Sequence, residues 1–161
     1  MRLIFSKRCV KIYVQMRHRE VRITAMQESG EMYLETIYVL SRSMDDVHAV
    51  NIASHLGYSK PSVSRAMSIL KREGYVNVDG EGRITLSDRG MEIASRIYER
   101  HEVLGGYLTA LGVDREVAVE DACRIEHVIS CESFDRIKEE YRRIKERQAA
   151  APQAKAAADK G

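Results

Sequence analysis

The stretch from Ala49 to Leu86 most constrains what this chain can fold into. Ala49–Leu56 has helical spacing, with Val50, Ile52, Ala53 and Leu56 expected inward. Gly57 supplies the turn, as a residue just past a helix end often does. Ser59 then caps a second helix, with Pro61 in its first turn, where a missing N–H costs nothing. That helix runs to about Glu73, burying Val63, Met67 and Leu70, and Gly74 ends it. Two short helices, a glycine turn and a polar outer face on the second helix make a helix-turn-helix. Next come Tyr75-Val76-Asn77-Val78, the turn Asp79-Gly80-Glu81-Gly82, and Arg83-Ile84-Thr85-Leu86, which read as a hairpin. A hairpin directly after the recognition helix makes a winged helix. Its expected DNA contacts are Ser59, Lys60, Pro61, Ser62, Ser64, Arg65, Lys71 and Arg72, with Arg83 on the wing. Small hydroxyls and cations suit base edges and phosphates.

The flanks supply the rest of the fold. Ser29 is expected to cap a first helix, with Glu31 and Glu35 in its early turns and Leu34, Ile37, Tyr38 and Ser41 on one stripe. Met32 and Glu35 are i, i+3 neighbours on an adjacent face. Arg42–Asp46 reads as a polar loop. Ser87 caps a long helix to about Leu111, with Met91, Ala94, Ile97, Tyr98, His101, Leu104 and Leu108 inward. It is long for a winged domain and is expected to connect to a second unit. Asp114 or a neighbour opens the helix containing Cys123 to His127, which stops near Ser130. A last helix spans about Glu132–Arg147, with Phe134, Ile137, Tyr141 and Ile144 on one side.

Both ends read differently. Residues 1–25 hold seven basic side chains against one acid and are expected to lie outside the fold, with Met26 a candidate natural start. Cys9 to Val14 alternates as a short strand would, and a basic arm on DNA phosphate is the other reading. Residues 149–161 lack an apolar stripe and are expected to be disordered. The expected fold is mainly α. Residues 26–88 form a winged helix-turn-helix with a small β-hairpin wing, and residues 89–148 an all-helical second domain.

Composition bounds the function. A net charge of +2 is too small to argue nucleic-acid binding alone. Three cysteines without framework spacing argue against a secreted disulfide scaffold and fit a cytoplasmic protein. No apolar run approaches the roughly 20 residues of a membrane span.

Cys123-Arg124-Ile125-Glu126-His127 carries the chemistry. On a helix, positions i, i+3 and i+4 share a face, so a thiolate, a carboxylate and an imidazole fall within one turn. These are transition-metal ligand types. The plainer alternative is a packed cysteine with two polar neighbours at its edge.

With these elements in place, the chain resembles the diphtheria toxin repressor / manganese transport regulator family over about Gln27 to Lys145. The marks are Glu31-Met32-Tyr33-Leu34-Glu35-Thr36-Ile37-Tyr38, Ser59-Lys60-Pro61-Ser62-Val63-Ser64 and Leu86-Ser87-Asp88-Arg89-Gly90. Arg100-His101-Glu102 and the run from Glu120 to Ser130 complete them. The resemblance implies a cytoplasmic homodimer, not an enzyme, whose second domain dimerises and binds metal. It implies that a divalent metal activates binding to a palindromic double-stranded operator, repressing iron- or manganese-uptake genes. The iron branch uses a Met, a Cys, a Glu and a His, matched here by Met32, Cys123, Glu126 and His127. The manganese branch adds a site with a first-helix Glu and a linker-helix His, matched by Glu35 and His101. Two ancillary ligands of the iron branch are replaced by Gly105 and Val119, and Cys123 stands where the manganese branch has a bridging Glu. The chain is therefore a hybrid. Sulfur donors favour Fe(II), Co(II), Ni(II) or Zn(II) over Mn(II); the expected physiological metal is Fe(II), with Mn(II) next on family grounds and Co, Ni or Zn able to bind in vitro. The rival is a winged-helix regulator that senses an oxidant or an organic ligand.

Overall fold

The computed structural model describes the backbone of residues 24–158 and the side chains of residues 28–150. The arm expected at residues 1–25, with Cys9, lies almost wholly outside the described residues. The elements are α1 (Thr24–Ser41), α2 (Ala49–Leu56), α3 (Lys60–Arg72), β1 (Val76–Val78), β2 (Ile84–Leu86), α4 (Asp88–Ala110), α5 (Arg115–Ile125) and α6 (Cys131–Ala158). Two compact units divide within α4, after Glu99. The start of α4 packs with the first unit: Ala94 belongs to its core, and Tyr98 packs on Tyr38, ring centroids 5.3 Å apart.

In the first unit α1 starts at Thr24, so Ser29 lies inside the helix and does not cap it. No glycine or proline stands between Thr24 and Ser29 to stop the helix there. From Met32 to Ile37 every residue is buried, Glu35 and Thr36 included. Thr36 satisfies its hydroxyl by donating to Met32 O at 2.8 Å. Ser41, expected on the inner stripe, is exposed, and Leu40 is buried instead.

Helix α2 buries Ile52, Ala53 and Leu56, while Val50 is 47% exposed against expectation. It precedes Ile52 by two positions and so faces about 200° away. Gly57 ends α2 at φ 69°, a conformation that favours glycine. Ser59 caps α3, accepting from the Ser62 N–H at 3.4 Å. Val63, Met67 and Leu70 are buried as the spacing predicts.

The hairpin pairs Val76 with Leu86, Asn77 with Thr85 and Val78 with Ile84. Sequence reasoning missed a third short partner. The Ile84 N–H donates to Val47 O at 2.7 Å, and His48 bridges antiparallel to Arg83. After the wing, Ser87 Oγ accepts the Gly90 N–H at 3.1 Å, and Arg89 lies over the Tyr75 ring at 4.4 Å. Gly90 is buried, and a Cβ there would run into Tyr75 O. With Gly90 facing inward, Met91 is turned out and is 43% exposed, a second departure from expectation.

In the second unit Asp114 caps α5, accepting from the N–H groups of Glu116 (2.9 Å) and Val117 (3.4 Å). Gly105 lets α4 approach Ala122 and Val119, and the Tyr141 ring fills the space where Gly106 would carry a Cβ. Helix α5 stops at Ile125, ahead of the expected end near Ser130. Helix α6 runs on to Ala158, into the stretch 149–161 expected to be disordered, whose last three residues lie outside the described ones. That stretch is rich in alanine, the best helix former. No helix among the described residues is long and apolar enough to cross a membrane.

Candidate metal centre and nucleic-acid interface

Glu126 is the centre of the second unit's polar interior. It is 1% exposed and follows the last residue of α5. Its backbone still has helical angles, and its N–H still reaches Ala122 O, so the side chain leaves on the helix face that holds Cys123. His127 falls in the turn beyond, which changes the reading of all three residues as members of one helix face.

The carboxylate of Glu126 meets two imidazoles. Oε2 lies 2.8 Å from His101 Nδ1, and Oε1 lies 3.4 Å from His127 Nε2. Ligand atoms of His101, Cys123 and Glu126 lie within 4.8 Å of one another. His101 is 2% exposed, and Cys123 is half-buried. A nitrogen, a sulfur and an oxygen donor converging on one point, two of the three from buried residues, fit a transition metal, with bonds of about 2.0–2.3 Å. The donor chemistry therefore fits the group the resemblance implies. The sequence reading put His101 in a separate or partial site, whereas the structure gathers it with Cys123 and Glu126.

Arg100 is a residue whose role sequence reasoning missed. It is buried, and its Nη1 donates to Glu126 O at 2.9 Å. Its Nη2 lies 3.4 Å from Cys131 Sγ, and its guanidinium stands over the Phe134 ring at 5.5 Å. It pins the turn from which Glu126 projects, as partners of ligands commonly do. Its place next to His101 in the sequence was the available signal.

Met32 and Glu35 are buried on α1 in the first unit. Met32 Sδ lies 3.9 Å from the Tyr58 hydroxyl, which donates to it.

The outer face of α3 exposes Lys60, Pro61, Ser62, Ser64, Arg65, Lys71 and Arg72, with Ser59 at its start. Four of the expected cations are engaged within the unit, Arg65 by donating from Nε to Pro61 O at 3.3 Å. Lys71 Nζ donates to Val78 O at 3.1 Å, and Arg72 lies 3.9 Å from Glu73. Arg83 pairs with Asp79 and Asp46, each at 3.0 Å. The Arg83 backbone N–H and guanidinium hold the Asp79 carboxyl below its usual pKa. The structure thus makes Arg83 a brace at the base of the wing turn, while Lys60 and Arg65 keep exposed positions on the recognition helix.

The family described as "Iron dependent repressor, N-terminal DNA binding domain" matches residues 25–83. "Iron dependent repressor, metal binding and dimerisation domain" matches residues 87–154. An HTH-type transcriptional regulator of Methanocaldococcus jannaschii is 34% identical over 115 residues, covering 70% of this chain and 92% of its own. The transcriptional regulator MntR of Escherichia coli O157:H7 is 32% identical over 117 residues, covering 73% of this chain and 76% of its own. Among solved structures, a manganese-dependent transcriptional repressor in complex with manganese superposes with TM-score 0.64 at 27% identity. The match covers 70% of this chain and 52% of that one. The manganese regulator SloR superposes with TM-score 0.61 at 28% identity, over 68% of this chain. The chain spans about half the length of SloR, 52%.

Proposed function

This chain belongs to the iron-dependent repressor family of metal-dependent, DNA-binding transcriptional regulators, and from that premise we propose which metal and which residues work the switch. The ion is a divalent first-row metal, Fe(II) in preference to Mn(II). His101, Cys123 and Glu126 supply its buried donors, and their mutual approach within 4.8 Å is the observation that carries this reading. His127, beside the second oxygen of Glu126, completes the second unit's contribution. Met32 and Glu35, on α1 of the first unit, are the remaining candidate ligands in the family pattern. A thiolate donor favours Fe(II) on softness, while the manganese-named relatives keep Mn(II) the next choice.

Bound metal acts by population shift, favouring the DNA-competent arrangement of a homodimer. By linkage, DNA then tightens metal binding. The reading face is α3, with Ser59, Lys60, Pro61, Ser62, Ser64 and Arg65 at the bases and nearby phosphates. The operator is palindromic, as a two-fold dimer requires, with half-sites about one DNA turn apart. The protein works in the cytoplasm and represses metal-uptake genes.

Fluorescence anisotropy tests this with duplexes enriched from a random-sequence pool, titrated against metal-free protein and against protein loaded with Fe(II), Mn(II), Co(II) or Zn(II). Metal-loaded protein is expected to bind at least ten-fold tighter, and Cys123→Ala to lose that gain. Equal binding by metal-free protein would overturn the switch and favour sensing of an oxidant or an organic ligand.

A further inference from the structure

Tyr58 occupies an unusual place. It follows the left-handed Gly57 and precedes Ser59, the residue that caps recognition helix α3. Its backbone N–H donates to Ala53 O at 3.0 Å, so its position in the turn is fixed. Its ring reaches back onto α1, meeting Tyr33 edge-on with centroids 6.2 Å apart. Its hydroxyl donates to Met32 Sδ at 3.9 Å. One half-buried side chain therefore links the sulfur of a proposed ligand to the start of the helix that reads DNA.

We infer that Tyr58 is a positioning residue that holds the Met32 sulfur in the metal-free protein and couples its ligation to the first turn of α3. The inference rests on Met32 being a ligand, as proposed above. A thioether is a weak acceptor, so the tie is weak and easily exchanged for a metal bond. Because the phenol stabilises the metal-free form, it opposes metal binding. Metal on the Met32 sulfur would replace this hydrogen bond, at the residue that precedes the α3 cap Ser59.

Removing the hydroxyl alone separates this from simple packing. Tyr58→Phe keeps the ring and deletes the hydroxyl that donates to Met32 Sδ. Co(II) titrations of the full chain are expected to show two- to five-fold tighter binding in Tyr58→Phe. In a Met32→Leu background the same change is expected to alter nothing, so the double-mutant cycle is non-additive. Carbon-13 labelled methionine methyls give a second readout. The signal missing from Met32→Leu identifies Met32, and it should shift in metal-free Tyr58→Phe. If Met32→Leu weakens Co(II) binding while Tyr58→Phe leaves affinity and methyl signal unchanged, the role of Tyr58 is overturned and the ligand stands. If Met32→Leu binds Co(II) as the parent does, Met32 is removed from the ligand set.

Discussion

His101 Nδ1 and Glu126 Oε2 meet at 2.8 Å across 25 residues of sequence, both almost wholly out of solvent. A carboxylate buried this deeply needs a partner, and an imidazole supplies one. Glu126→Gln preserves shape and removes the charged donor. Co(II) affinity is expected to fall about 10- to 100-fold or more, since even changes to partners of ligands cost that much. Isothermal titration measures it directly, and an unchanged affinity would remove Glu126 from the site.

Cys123 decides the sulfur character of the centre. Co(II)-loaded protein should show sulfur-to-cobalt charge-transfer absorption in the near ultraviolet, and Cys123→Ser should lose it. The serine variant should also lose more affinity for Zn(II) than for Mn(II), because an oxygen donor suits the harder ion. A retained charge-transfer band would place the thiolate elsewhere.

Arg100 holds the turn that carries Glu126, through its 2.9 Å bond to the Glu126 carbonyl. Arg100→Met keeps much of the stem but leaves a buried carbonyl without its donor. Stability in urea is expected to fall by about 1–3 kcal/mol. Metal affinity should fall with it, and a variant that is destabilised but binds metal normally would limit Arg100 to a scaffolding role.

The recognition helix and the wing should separate in salt dependence. Lys60→Ala is expected to lower the slope of log affinity against log salt by about one, as loss of a phosphate contact does. Arg83 already faces Asp79 and Asp46, so Arg83→Ala should change the slope less. Equal changes in the two variants would put Arg83 on phosphate.

Acid should weaken the first unit through His55. Burial lowers its pKa below the usual value, so the folded protein resists a proton that the unfolded chain accepts. Above about pH 6.5 neither form is charged and the group contributes nothing to the difference; below it, stability is lost. Thermal midpoints measured from pH 7.5 to 5.5 should fall less steeply in His55→Gln than in the parent.

The parts of this fold that could be read from sequence are those with short-range causes. Gly57, Ser59 and Pro61 bracket two helices whose ends lie where local capping puts them. Asp79 to Gly82 marked the hairpin turn for the same reason. What could not be read was non-local. Nothing near Val47 announces that it will pair with Ile84, and nothing near Met91 announces that Gly90 will face inward beneath Tyr75. His101 shows the limit most clearly, because its closeness to Cys123 and Glu126 follows from how α4 and α5 pack at Gly105. The spacing from Cys123 to His127 suggested a metal, but the wider ligand set came from family resemblance.

The wing is fastened by Lys71 to Val78 O, His48 Nδ1 to Gly82 O at 3.0 Å, Ile84 N–H to Val47 O, and Arg83 to Asp46. Wing and recognition helix therefore reach a duplex already shaped, with the entropy of ordering them spent during folding. Calorimetry of a single unit on DNA should accordingly report a heat-capacity change matching the surface it covers, without the larger signature of a segment that folds as it binds.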